Sequence, residues 1–373
     1  MINSIEQWDF LNSETILGIE VGDINNNGSY EIVAFSKSGK ILILSMKGEL
    51  ISVLEIAKDS SIWDGKICDI DRDNKNEVVF SGLDGLLRVF KCSPSYELKP
   101  FWAHQFGASI SGFLFEDINN NNIEEIIAYS IDKSLRALNP INGSLIWGQI
   151  FEDGIGDAII YRDSGDLRTK EVIACGNDGS IRVFKGKDGD LVWFKRFKDK
   201  VRFVSIFKSK NRELVVCGGD DKKLHLIDKL TQEEIKSIQF NDYVWKCFSF
   251  NLNDENYLLV STYSFEYLDE SFNIEDIEFS SKLMCLNQKL EIKWELAHIN
   301  TECLIQAKIG SNSYIVLGTT KGKLLIIDED SGKIITKIQK KSCLNDLKYD
   351  LKSNILITCH DNGSIFAYFL AES

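Results

Sequence analysis

A phrase typical of a β-hairpin recurs along this chain about every 40–50 residues. It consists of a short apolar run, a turn rich in Asp, Asn and Gly, and a second apolar run. The turn anchors are Gly39, Gly85, Lys133, Gly179, Lys222, Gly322 and Gly363, at intervals of 46, 48, 46, 43, 100 and 41 residues. The longest interval conceals one further copy that carries an insertion. Because a strand-rich unit of this length buries its faces only against its neighbours, the repeat predicts a β-propeller.

Each period contains four runs of β-branched and aromatic residues, separated by clusters of Gly, Asn, Asp and Ser. In the first period we place strands a to d at 16–21, 31–35, 41–45 and 50–55. Further units fit roughly 61–104, 109–150, 154–197, 200–240, 242–298 and 300–340. We therefore expect an all-β protein in which residues 1–373 form one propeller domain of four-stranded blades.

The last unit is incomplete, because residues 342–370 supply only three strands before the chain ends. The segment 4–11 contains Trp8 and resembles an outer strand without a blade of its own. It matches the other outer strands that carry a tryptophan, at Trp102, Trp147, Trp193 and Trp294. An N-terminal strand that completes the last blade would remove both free sheet edges. This predicts eight blades, or seven if the sixth unit is irregular.

Composition limits the kind of partner. The net charge of −13 disfavours nucleic acid and anionic membrane surfaces. The N-terminus lacks the features of a signal peptide, and no apolar run is long enough to span a bilayer. Nine cysteines lie mostly within apolar runs, where free thiols pack as small hydrophobic groups. We expect a cytoplasmic protein without disulfides.

Three connections between strands a and b share one pattern of oxygen-bearing side chains. Positions 1, 3, 5 and 9 are Asp23, Asn25, Asn27 and Glu31 in the first loop, Asp69, Asp71, Asp73 and Glu77 in the second, and Asp117, Asn119, Asn121 and Glu125 in the third. Such spacing lets a short loop wrap a hard cation, and affinity rises with the number of carboxylates. The second loop is therefore the best candidate for Ca²⁺, the one cofactor predicted. Alternatively, these side chains cap their own tight turns.

Two family resemblances accompany these motifs. Over about the first 130 residues, the three loops resemble the FG-GAP repeats of integrin-α-type propellers, whose DxDxDGxxD loops hold Ca²⁺. The segments at 137–147 and 183–193 resemble the tryptophan-docking repeats of PQQ-like propellers. The second resemblance implies that each indole packs between adjacent blades.

One insertion departs from the repeat, at Ser264–Ser280 in the sixth unit. It combines six carboxylates with aromatic residues and contains no basic residue. We predict that a protein partner binds it through Phe265, Tyr267, Asp269, Phe272, Asp276 and Phe279. A mobile acidic loop without a partner is the alternative. A basic run at 195–212 is either a solvated surface or a patch for an acidic partner.

Catalysis has little support in the sequence. The four histidines are isolated from one another, and no known nucleophile, phosphate-binding or zinc motif is present. We therefore predict a non-enzymatic scaffold that binds proteins as part of a complex. Intracellular propellers of the FG-GAP type, which this chain resembles, occur in multi-subunit assemblies. The alternatives are a Ca²⁺-dependent sensor or adhesion-like module and, third, a cofactor-binding enzyme of the PQQ-like class.

Overall fold

The computed structural model describes residues 2–162, 169–209, 212–252, 254–264 and 280–372. Within these ranges the chain forms 32 strands, which pair into eight four-stranded antiparallel sheets. The sheets are the blades of a propeller, so the predicted all-β fold and the count of eight blades are confirmed. The described residues contain no helix that could cross a membrane.

The strands follow the repeat closely. Blade 8 begins with the N-terminal strand β1 (Ile2–Leu11) and blade 1 contains β2 (Ile16–Gly22), β3 (Glu31–Ser36), β4 (Lys40–Ser45) and β5 (Leu50–Glu55). Blade 2 contains β6 (Ile62–Cys68), β7 (Glu77–Gly82), β8 (Leu86–Cys92) and β9 (Leu98–Gln105), and blade 3 contains β10 (Ile110–Glu116), β11 (Glu125–Ser130), β12 (Ser134–Leu138) and β13 (Leu145–Ile150). Blade 4 contains β14 (Ile155–Arg162), β15 (Lys170–Gly176), β16 (Ser180–Lys185) and β17 (Leu191–Arg196), and blade 5 contains β18 (Val201–Ser209), β19 (Arg212–Gly219), β20 (Lys223–Asp228) and β21 (Glu234–Gln239).

The remaining strands complete the ring. Blade 6 contains β22 (Tyr243–Leu252), β23 (Glu255–Tyr263), β24 (Lys282–Leu286) and β25 (Ile292–Ala297), and blade 7 contains β26 (Thr301–Ile309), β27 (Asn312–Thr319), β28 (Lys323–Asp328) and β29 (Ile334–Gln339). Blade 8 is completed by β30 (Leu344–Asp350), β31 (Ile355–His360) and β32 (Ser364–Glu372). The innermost strand is the first one in blades 1 to 7 and β30 in blade 8, and the inner strands β30 and β2 contact each other where the ring closes.

The N-terminal strand closes the ring, as predicted. It pairs antiparallel with β32 from Ile2 opposite Glu372 to Leu11 opposite Ser364. The indole of Trp8 donates a hydrogen bond to the carbonyl of Met46 in blade 1, at 3.0 Å. The closing strand is therefore held both by its own blade and by the next one.

Burial explains why the b strands are almost continuously apolar. Strands β3, β7 and β11 are buried at every position, because the neighbouring blades cover both faces of each sheet. The outer strands alternate instead, and β13 and β17 each bury one tryptophan between exposed neighbours. β-Branched residues suit both situations, since they pack well on a pleated surface.

The repeated turn anchors are the left-handed residues of the b–c turns. Positive φ angles occur at Gly39, Gly85, Lys133, Gly179, Lys222, Gly322 and Gly363, which are the seven anchors of the sequence repeat. In each turn the anchor N–H bonds to the carbonyl three residues earlier, as between Gly85 and Gly82 at 3.3 Å. The repeat is therefore visible in the sequence because the turn geometry favours glycine.

The tryptophans of the outer strands dock between blades, as the PQQ-like resemblance implied. The indole N–H groups of Trp102, Trp147 and Trp294 donate to carbonyls of the following blade, at 2.7, 2.8 and 3.1 Å. Each indole lies against a glycine of that blade. A Cβ atom placed on Gly189, for example, would lie 2.7 Å from the Trp147 ring.

Candidate functional site

The three Asp/Asn loops have one architecture, built around a buried glutamate. Glu31, Glu77 and Glu125 are each the first residue of a b strand and are at most 2% exposed. One carboxylate oxygen of each accepts the backbone N–H of the second loop residue, at 3.0–3.2 Å. Burial raises the pKa of all three carboxyl groups. Position 9 of the motif therefore closes the loop whether or not a metal binds.

The first aspartate of each loop caps the turn. Asp23 accepts the N–H groups of Asn27 and Gly28, at 3.0 and 2.7 Å. Asp117 accepts two N–H groups in the same way, and Asp69 accepts that of Asn74 at 2.9 Å. These contacts are the turn caps that the sequence left open as the alternative to metal binding.

The loops differ in the group that meets the second oxygen of the glutamate. In the first loop the hydroxyl of Tyr96 donates to Glu31 Oε1 at 3.0 Å. In the third loop the side-chain amides of Asn119 and Asn121 donate to Glu125 Oε1, at 2.5 and 3.2 Å. Both glutamates are therefore satisfied by neutral donors of the protein itself. Asn25 and Asn27, in contrast, bond mainly to backbone groups.

The second loop keeps a group of carboxylates together. Oxygen atoms of Asp69, Asp71 and Glu77 lie within 4.8 Å of one another, as a metal site requires. The ammonium of Lys91 lies among them, 2.6 Å from Asp71, 3.1 Å from Asp73 and 3.3 Å from Glu77. Its hydrogen bond lowers the pKa of Asp73. This loop has the ligands for Ca²⁺, but a cation of the protein already contacts three of its four carboxylates.

A second candidate site, which was not evident from the sequence, surrounds the central channel. Every inner strand has a β-bulge near its start, after its first residue or, in β22, after its second, next to the b–c turn of its blade. We call the displaced residues the channel mouth: Leu17, Trp63, Ser111, Gly156, Arg202, Trp245, Glu302 and Asn345. Bulges redirect side chains and are common beside functional sites.

Part of the channel mouth lines a cavity of about 640 Å³. Five of the eight mouth residues, from blades 3 to 7, contribute to its wall. Arg202 lies 5.5 Å from the Trp245 ring and forms two hydrogen bonds of 2.7 Å with Asp220. Pockets of this size with aromatic walls and a few polar groups are typical ligand sites. The basic run at 195–212 therefore contributes Arg202 to the channel mouth. Arg196, from the same run, forms an ion pair with Glu152 at 2.7 Å.

Burial raises the pKa values of two carboxyl groups in this cavity. Burial raises the pKa of Glu302, whose Oε1 accepts the hydroxyl of Tyr263 at 2.8 Å. Burial also raises the pKa of Asp157 from 3.8 to about 6, although backbone N–H groups of Val204 and Ala158 bond to it at 3.0 and 2.9 Å. Lys246 also lines the wall of the cavity. The cavity therefore holds charges of both signs beside an aromatic surface.

Asp157 should make protein stability depend on pH. The folded state favours the protonated carboxyl of Asp157. The contribution of this group to the free energy of unfolding is therefore fully present below about pH 4 and is lost as pH rises through about 6. As pH rises from 4 to 7, the free energy of unfolding of Asp157→Asn should increase by about 1–2 kcal/mol relative to that of the unmodified protein. Residual solvent contact of Asp157 keeps this difference below the value expected from the whole pKa shift. Urea unfolding at both pH values measures the difference. The exposed Asp188→Asn is the control, and a pH-independent difference for Asp157→Asn would contradict the assignment.

Apolar groups adjoin the cavity on the same face. Trp63, Leu83 and Ile131 are 38%, 52% and 44% exposed. The N–H of Leu83 bonds to Ser61, the indole of Trp63 to Ile110 at 2.7 Å, and the N–H of Ile131 to Ser109. The Leu83 and Ile131 bonds lie within blades 2 and 3, respectively, and the Trp63 bond links blade 2 to blade 3. The three side chains therefore come from the adjacent blades 2 and 3, and Ile131 also lines the cavity.

The predicted partner-binding insertion falls outside the described residues. The residues predicted to bind the partner, which all lie outside the described ranges, are Phe265, Tyr267, Asp269, Phe272, Asp276 and Phe279. The described histidines take part in packing and capping contacts: His225 bonds to Asp221 and Glu234, at 2.8 and 2.9 Å, and His360 bonds to the carbonyl of Ser342 at 3.2 Å. All nine cysteines are free thiols, as expected.

The fold, the ring of bulges and the docked tryptophans define an eight-bladed β-propeller. The family described as the lambda-carrageenase beta-propeller domain matches residues 140–251. No curated protein matches the chain. The FG-GAP resemblance stays an interpretation of the three loops.

Solved structures share the fold. The computationally designed Ika8 protein has 13% identity and a TM-score of 0.71 over 96% of this chain and 97% of its own. BamB from Moraxella catarrhalis has 16% identity and a TM-score of 0.64 over 98% and 97%. Saccharomyces cerevisiae Sqt1 has 11% identity and a TM-score of 0.76 over 100% and 99%. At these identities the likeness concerns the fold alone.

Proposed function

We propose that this propeller is a non-enzymatic binding module that holds a protein partner against its channel mouth. The observation that carries the proposal is the exposed row of Trp63, Leu83 and Ile131 beside the 640 Å³ cavity. Neighbouring apolar groups that are exposed on one face of a protein are typical of interaction sites. Trp and Arg, both present in the mouth, are the residues most enriched at interface hot spots.

The cavity and the apolar row have complementary roles in this proposal. The apolar row buries an extended area of the partner, while the cavity accepts one inserted side chain and fixes its position. Arg202 is held rigidly by Asp220 at 2.7 Å, so that little side-chain entropy is lost on binding. Cytoplasmic location and membership of a complex stay predictions.

Affinity capture with the full chain as bait tests the proposal. We expect Trp63→Ser combined with Leu83→Ser to lower recovery of the partner about tenfold or more, because each truncates an exposed apolar anchor. Leu145→Ser combined with Ile150→Ser is the matched control on the outer strand β13, where these side chains are 55% and 65% exposed. Recovery that is lost with the control pair and kept with the mouth pair would contradict the proposal.

A Ca²⁺-dependent binding module is the second candidate. It is favoured by the carboxylates of Asp69, Asp71 and Glu77, which lie within 4.8 Å of one another. For this function, Ca²⁺ would have to displace the ammonium of Lys91 from the same oxygens. Millimolar Ca²⁺ would then raise the melting temperature of the unmodified protein, and Asp71→Ala would remove the effect.

A further inference from the structure

We propose that the ammonium of Lys91 is the resident cation of the second loop and makes a divalent ion unnecessary there. The loop would then be a latent Ca²⁺ site, which binds the ion only when Lys91 is removed. This differs from the FG-GAP resemblance, which implies a metal at this position.

The position of Lys91 follows from strand register. Lys91 lies on β8 directly opposite Glu77 on β7, so the backbone itself directs the lysine toward the loop. Its Nζ atom lies 2.6 Å from Asp71 Oδ2, 3.1 Å from Asp73 Oδ2 and 3.3 Å from Glu77 Oε1. The Phe101 ring packs 4.7 Å from the same nitrogen. The ammonium is thus surrounded by three carboxylates and one aromatic face.

Charge balance explains why a lysine ammonium lies among the carboxylates of the second loop. The second loop carries four carboxylates at its motif positions, whereas the first and third carry two each and fill the others with asparagine. In those two loops, neutral donors from Tyr96, Asn119 and Asn121 satisfy the glutamate. Four carboxylates without a cation would repel one another. Lys91 supplies the positive charge that the neutral loops do not need.

An ammonium and Ca²⁺ cannot share this site. Calcium takes six to eight oxygen ligands at 2.3–2.6 Å. Asp71, Asp73 and Glu77 would have to provide several of them, and their oxygens already lie 2.6–3.3 Å from Lys91 Nζ. The buried oxygen Asp69 Oδ1 accepts no hydrogen bond in the structure, and the buried Glu77 Oε1 has the Lys91 ammonium as its neighbour at 3.3 Å. These atoms are ready ligands once the ammonium is gone.

Thermal unfolding with added Ca²⁺ and with chelator tests the inference. For the unmodified full-length protein we expect no change in melting temperature between the two conditions. Lys91→Met keeps the apolar stem and removes the charge, so it should melt lower in chelator. Calcium at millimolar concentration should then raise its melting temperature by about 2 °C or more. Lys91→Met combined with Asp71→Asn is the control, and it should not respond.

Calorimetric titration of the unmodified protein with CaCl₂ provides a second readout that does not depend on a variant that folds. We expect no binding at this loop below millimolar concentration. Stabilisation of the unmodified protein by Ca²⁺ that Asp71→Asn abolishes would overturn the inference. It would also be overturned if Lys91→Met failed to respond to Ca²⁺, because the loop would then not be a latent site.

Discussion

Deletion of residues 1–12 should open the eighth blade and cause aggregation. Without β1, the outer edge of β32 loses its partner along nine residue pairs, from Ile2 to Leu11. Loss of the buried apolar surface of Ile2, Trp8 and Phe10 alone should cost about 3–5 kcal/mol, and the uncovered strand offers an edge for pairing between molecules. Thermal unfolding and size-exclusion chromatography measure both effects.

Ile5→Ser is the matched control for this deletion. Ile5 lies on the same strand, but its side chain is 57% exposed, so the variant should melt close to the unmodified protein. A deletion variant that stays monomeric and melts like the full chain would show that the ring closes without β1.

Trp147→Ala should destabilise the protein by about 3–5 kcal/mol. The Trp147 side chain is 7% exposed, and its N–H bonds to the carbonyl of Gly186 at 2.8 Å. The substitution therefore leaves a cavity between blades 3 and 4 and an unpaired carbonyl. Urea unfolding monitored by circular dichroism measures the loss.

Two further variants make this measurement specific. Ile146→Ala, beside Trp147 but 41% exposed, should change stability little. Gly189→Ala should approach the effect of Trp147→Ala, because the added Cβ would lie 2.7 Å from the indole at a residue with φ of +75°. If Trp147→Ala cost no more than Ile146→Ala, the tryptophans would not hold the blades together.

The fold could be predicted from the sequence because its period comes from backbone geometry. Gly85, Gly179 and the other anchors have positive φ angles, so turn chemistry marks each blade directly. The closing strand could be predicted because Trp8 matches the docking tryptophans of other blades. These features depend on local sequence and on one repeated contact between neighbours.

The channel mouth could not be predicted in the same way. A β-bulge requires no particular residue type, and the displaced residues include Gly156, Trp245 and Arg202. They meet only after the ring closes, since they come from different blades. One signal was available: in each inner strand the residue directly before the bulge is buried and mostly Ile, Leu or Val, and the displaced residue that follows it varies.

The three Asp/Asn loops lie between strands a and b, but the side chains that contact them from elsewhere in the chain could not be predicted, and metal binding stays a prediction. The sequence showed the oxygen-bearing side chains of the second loop and not Lys91, which lies 14 residues beyond Glu77. Only the pairing of β7 with β8 brings the ammonium to the carboxylates. Tyr96 was also not predicted, because its hydroxyl reaches Glu31 from the next blade.

Hydrogen–deuterium exchange, with and without the captured partner, tests the central claim most directly. If the partner binds the channel mouth, slower exchange should appear in peptides that contain Trp63, Leu83, Ile131 and Arg202, while the outer strands β13 and β17 stay unchanged. Peptides from the loops at 23–31 and 69–77 serve as an internal control in the same experiment. Protection confined to the outer strands or to those loops, with no change at the mouth, would contradict the account.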